Sequence, residues 1–158
     1  MIRIIMLSAV SLLALPISSA LAKDFPNKGE ADVDTYYIFD SRATMPKNDV
    51  GSAGIDEFNG VSRNVKGEDP FNDMSVYCLA HWTMISGAYK SNGSCIETDK
   101  DGDTIFVTFD EGTNHLVGGT GKYKGITGKS PYTVTELHAN AGGRPTYVVN
   151  HKRVWEIK

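Results

Sequence analysis

The sequence predicts an all-β protein, a single closed antiparallel β-barrel tied by one intrachain disulfide. Three observations lead there. Apolar and polar residues alternate at period two along most of the chain, and no segment after the first residues keeps a helical period of 3.6. The stretch Leu116 to Gly128 holds five glycines interleaved with Val117, Tyr123 and Ile126. Glycine packs nothing and adds entropy to the unfolded chain. A strand segment that keeps so many therefore bends, bulges or admits another backbone at close range, which lets a sheet coil and close. The third observation is a pair of cysteines, Cys78 and Cys95, in a chain that opens with an export signal.

Residues 1–22 read as a signal peptide. Arg3 supplies the positive start, Ile4 to Ile17 the apolar stretch broken by Pro16, and Ala20-Leu21-Ala22 a small-x-small cleavage site. The apolar run falls short of the ~20 residues of a spanning helix, so no membrane association is expected after its removal. The expected location is periplasmic or secreted. Residues 23–34 are polar, carry Pro26 and Gly29, and read as a flexible N-terminal arm. Residues 35–158 are the barrel domain, enough for one core. The formal charge of −3 becomes −4 without Arg3, and no basic stripe exists, so nucleic acid is excluded as a partner. Oligomerisation stays open.

The strands follow in order. Asp34 to Met45 carries Thr35, Tyr36, Tyr37, Ile38 and Phe39 and opens the sheet. Ile55 to Val65 is the second strand, interrupted by Gly60. Met74 to Ile85 is the clearest strand, with Val76, Cys78, Ala80, Trp82 and Met84 on the face expected to point inward. Ala88 to Thr98 returns from it. Asp101-Gly102 predicts a type I′ hairpin into Asp103 to Phe109, where Ile105, Val107 and Phe109 alternate with Thr104, Phe106 and Thr108. His115 to Gly119 enters the glycine run. Pro131 to His138 and Arg144 to Ile157 complete the sheet.

A two-residue turn at Ser86-Gly87 pairs Ile85 with Ala88. Counting outward places Cys78 opposite Cys95 on a non-hydrogen-bonded pair, the closer type at about 4.5 Å between Cα atoms, within bridging range. A turn at Asn92-Gly93 instead would set Cys95 against Lys90. Two free buried thiols are the remaining reading, less compatible with export.

Gly118-Gly-Thr-Gly-Lys-Tyr-Lys-Gly-Ile-Thr-Gly128 resembles the glycine signature of the allene-oxide-cyclase-barrel-like superfamily, which includes the dirigent-like proteins. The nearest likeness is to small uncharacterised bacterial secreted members, which often pair the signature with two cysteines around a hairpin and an Asp-x-Asp-Gly-Asp turn. Here these are Cys78, Cys95 and Asp99 to Asp103. The resemblance covers roughly Thr35 to the end and implies a closed antiparallel β-barrel of about eight strands. It implies no particular reaction.

Chemical motifs are sparse. Asp99-Lys-Asp-Gly-Asp103 starts like an EF-hand loop, but Thr104 stands where glycine is needed and a strand follows, so an acidic hairpin tip bonding its own backbone is preferred. Gly119-Thr-Gly-Lys122 lacks P-loop spacing and a following helix. His138 and His151 could meet across the last hairpin beside Glu136, yet a metal needs three or four ligands, so surface histidines near the rim are expected and no metal or other cofactor. No Gly-x-Ser-x-Gly elbow exists, and a disulfide removes the thiol nucleophile. Asn92-Gly-Ser94 is taken as a turn rather than a glycosylation site.

The leading functional reading is non-catalytic binding of a small hydrophobic or aromatic molecule in the barrel mouth, lined by Tyr36, Ile38, Trp82, Phe109 and Tyr132. The second is an isomerase, a cyclase or a dirigent-like steering protein acting on a hydrophobic substrate. Tyr36, Asp40, Glu57, Arg63, His81 and Glu136 would be its acid–base groups, although no catalytic residue can be placed by motif. The third is a structural or interaction domain with a filled barrel. An open apolar interior favours the first, and an open interior holding a perturbed carboxylate or histidine favours the second.

Overall fold

The computed structural model describes residues 25–158; the signal segment read over 1–22 lies outside them. The chain forms eight strands: β1 (Lys28–Thr44), β2 (Gly51–Asn64), β3 (Met74–Ile85), β4 (Ala88–Thr98), β5 (Thr104–Asp110), β6 (Thr113–Gly119), β7 (Ile126–Glu136) and β8 (Thr146–Ile157). They pair antiparallel in chain order, and β8 returns to β1 to close the barrel. Closure leaves no free sheet edge, and alternate side chains of every strand face the interior.

Two-residue turn chemistry sets the register of the β3–β4 hairpin. Ser86 and Gly87 both take positive φ, 49° and 82°, as a type I′ turn requires. Ile85 therefore faces Ala88, and Cys78 lies opposite Cys95 with Cα atoms 4.0 Å apart, joined as a disulfide. Asn92 and Gly93 are interior to β4, so the competing turn does not form. The Asp101-Gly102 turn is longer than expected. Thr98 pairs with Thr104, and Asp99 to Asp103 forms the loop, with Gly102 but not Asp101 at positive φ. The Asp99 carboxylate accepts from the backbone N–H groups of Asp101 (2.8 Å) and Asp103 (3.1 Å), which stabilises this wider loop.

The glycine run bends the sheet. Phe106 pairs with Gly118 and Val107 with Leu116, which leaves Val117 as a bulge at the end of β6. Gly118 sits there at φ 153°, a conformation that side chains disfavour. A single 3-10 turn, Gly121–Tyr123, then leads into β7, which starts at Ile126, earlier than the Pro131 expected.

The flexible arm expected over 23–34 is corrected in its described part. From Lys28 onward it is β1, pairing Gly29 with Trp155, Ala31 with Arg153 and Val33 with His151. Its inward residues are small and its outward residues charged, so hydrophobicity gave no strand signal. Gly60 does not interrupt β2 either. It pairs with Tyr37, whose ring covers the missing side chain.

The barrel has two unlike ends. At one end Val33, Met74, Ile105, Ile126 and Trp155 pack tightly, and Phe25 caps them by edge contacts with Phe71 and Tyr123. Arg153 is fully buried there and donates two hydrogen bonds to Glu97, at 2.7 and 2.8 Å, with its guanidinium 4.6 Å from the Phe71 ring centre. The other end is open.

Candidate ligand-binding cavity

The open end holds a cavity of about 680 Å³. Its walls are built by the inward faces of the strands: Phe39, Phe58, Trp82, Phe109, Tyr132 and Tyr147. Glycine partners let two of these rings lie against the wall. Trp82 pairs with Gly54 and Phe109 with Gly93, and a Cβ at either glycine would fall 2.7 or 2.6 Å from the ring. Rings laid over glycine take up wall rather than lumen, and the space between them stays empty.

Polar groups form the floor. Asn114 donates to His151 Nδ1 at 3.3 Å, and the protonated Nε2 donates to Thr35 Oγ1 at 3.1 Å, which in turn lies 2.7 Å from Ser62 Oγ. Burial, and secondarily the Arg153 charge, push His151 down to about 3, so it is a neutral imidazole at any physiological pH. Both its nitrogens are engaged, which leaves it neither a free base nor a free acid. Burial also raises the phenols of Tyr37, Tyr132 and Tyr147, so they too stay neutral. Tyr37 Oη lies 3.7 Å from Cys78 Sγ, placing the disulfide beside the floor. Asp56 is the single charged side chain among the described lining residues, and only 7% exposed.

Of the residues anticipated for the mouth, Trp82, Phe109 and Tyr132 line this cavity. Tyr36 and Ile38 do not. They lie on the outer face, Tyr36 49% exposed, and their neighbours Tyr37 and Phe39 point inward. A one-residue shift of strand parity exchanges the faces. The four successive apolar residues 36–39 conceal that parity. The charges at Lys28, Glu30, Asp32 and Asp34 reveal it, because they hold the even positions outside, but only once β1 is extended upstream.

The acid–base candidates are likewise on the outside. Asp40 pairs with Arg144, Arg63 with Asp73, and Glu57 with Arg42, whose hydrogen bonds lower the Glu57 carboxyl to about 2. Tyr36, His81 and Glu136 are exposed. Among the described residues the buried acidic and basic side chains are Asp56, Glu97, His151 and Arg153. The expectation of rim histidines fails for His151, which is buried opposite Tyr132, whereas His138 lies exposed beyond β7 and the two do not meet.

No protein-family model matches the chain, and no curated protein matches it. Among solved structures it is similar to a pterocarpan synthase dirigent protein. That likeness covers 95% of this chain and 100% of the other, at 13% identity and a TM-score of 0.48.

The acidic turn at the packed end is a closed cluster. Lys122 Nζ lies 2.6 Å from Asp99 and 2.7 Å from Asp101, the Tyr123 hydroxyl donates to Asp99 at 3.0 Å, and the Lys122 backbone N–H donates to Asp103 at 3.1 Å. The ammonium occupies the place a cation would take. Among the described residues no group of three or more His, Cys, Asp or Glu side chains is arranged to hold a metal ion.

Proposed function

We propose that this chain is an exported binding protein that takes one small molecule with an aromatic or apolar body into the open end of its barrel, without altering it. The observation that carries this reading is the cavity of about 680 Å³, walled by rings and floored by satisfied polar groups. Its size suits a drug-sized ligand. The filled-barrel alternative would require side chains where the open end has space. The disulfide is consistent with an oxidising compartment, periplasmic or extracellular.

A second reading, an isomerase or dirigent-like steering protein for a hydrophobic substrate, is favoured by Asp56 in the cavity wall. The saturated hydrogen bonding of His151 and the raised phenols weigh against proton transfer by those groups. The test is native mass spectrometry of the purified protein for retained small molecules, followed by thermal-shift screening of an aromatic and lipid library. Binding is expected to raise the melting temperature, and hits recovered after long incubation are expected chemically unchanged. Altered recovered hits would establish the second reading, and absence of any retained or stabilising compound would overturn both.

A further inference from the structure

We infer that the ligand is an organic cation, an ammonium group on an aromatic or apolar body, held with its charge at Asp56 and its body between the rings. This deepens the proposed binding function and rests on it.

The interior contains two buried carboxylates with opposite circumstances. Glu97 is matched by Arg153 through two hydrogen bonds at the packed end. Asp56 has no ion-pair partner among the described residues, and no lysine or arginine lines its cavity. A buried carboxylate lacking a partner is costly, and a bound cation removes that cost. Asp56 also faces the cavity that would hold one, and its register neighbours on the two flanking strands are the small residues Ser41 and Ala80.

The remaining lining favours the same charge. Aromatic faces are negative at their centres and attract cations, more strongly where water is excluded. Trp82, opposite Gly54, lies diagonal to Asp56 across the β2–β3 pair, and Phe58 follows Asp56 on the same face of β2. The other polar lining groups are neutral hydroxyl, amide and imidazole groups. A carboxylate or phosphate ligand would meet the Asp56 charge and find no basic side chain in the lining to offset it.

The test uses the intact oxidised protein and three probes matched in shape: 4-phenylbutyl-trimethylammonium, its neutral carbon isostere, and 4-phenylbutane sulfonate. Binding is read by calorimetry and by the change in tryptophan fluorescence, to which Trp82 in the cavity wall contributes. The ammonium is expected to bind about tenfold or more tightly than the isostere, and the sulfonate more weakly than either. In Asp56→Asn and in Asp56→Ser the ammonium and the isostere are expected to converge within about twofold. The comparison within the unaltered protein stands even where a variant fails to fold. Equal binding of ammonium and isostere, or a preference that survives both substitutions, would overturn the inference while leaving small-molecule binding intact. Binding of none of the three probes would count against the binding function itself, and the inference would fall with it.

Discussion

His151 shows how the interior dictates a residue's chemistry. Its folded value of about 3 lies below its ordinary 6.5, so the unfolded chain takes up the proton first as pH falls. The stability tied to its neutral form is complete above pH 6.5 and is lost on acidification toward 3. Between 6.5 and 4.5 the slope is expected to approach about 1.4 kcal/mol per pH unit, and below 4.5 Glu57, whose ordinary value that is, adds a loss of its own. Urea midpoints measured across this range should show the slope, and His151→Gln should flatten its upper part. The Arg153–Glu97 pair makes a second prediction. Glu97→Gln leaves a buried guanidinium without its counter-charge and is expected to cost roughly 3–5 kcal/mol, whereas Glu97→Leu with Arg153→Met should recover much of that loss in a double-mutant cycle. Neither residue was legible as interior. His151 and Arg153 share a face with Val149 and Trp155, but Val148 and Val154 make the opposite face equally apolar, so polarity along β8 does not reveal its direction.

At the scale of the element, the β3–β4 hairpin was the most legible part of the chain, because a two-residue turn fixes register without reference to anything distant. Ser86 and Gly87 set Ile85 on Ala88, and the Cys78–Cys95 pairing follows by counting. Cys78→Ser is expected to lower stability by roughly 2–4 kcal/mol in oxidising buffer and to leave no difference between oxidised and reduced protein. Chemical denaturation with and without reductant checks both. β1 was the least legible, since its parity depends on charged residues that looked like a loop. The strand glycines form a second class of element-level device. A Cβ at Gly93 would meet the Leu79 carbonyl at 2.2 Å and the Phe109 ring at 2.6 Å. Gly93→Ala is therefore expected to destabilise by about 1–3 kcal/mol and to push Phe109 into the lumen, weakening any cavity ligand. A glycine run announces curvature in the sequence, but isolated glycines such as Gly54 and Gly93 reveal their role only once the facing ring is known.

For the whole molecule, the division of the barrel into a packed end and an open end separates what holds the fold from what binds. Closure was readable from the glycines and the alternation, because both are local. The open half was not, because emptiness results from how Trp82, Phe109 and Tyr132 lie on their partners across several strands. The same division predicts opposite behaviour for two truncations. Ile105 is fully buried among Val33, Met74 and Ile126, away from the cavity, so Ile105→Ala removes packing that nothing can refill. It is expected to cost roughly 2–5 kcal/mol while leaving ligand affinity within about twofold of the unaltered protein. Trp82 is partly buried on the cavity wall, where its ring borders the open space. Trp82→Ala forfeits fewer contacts and is expected to cost under about 1.5 kcal/mol, yet to weaken the trimethylammonium probe at least tenfold, because the lost ring is part of the aromatic wall that lines the same cavity as Asp56. Denaturation midpoints and calorimetric affinities on both variants decide the matter. Parallel losses of stability and affinity in both would mean that the barrel responds as one cooperative body and that its two ends are not separable.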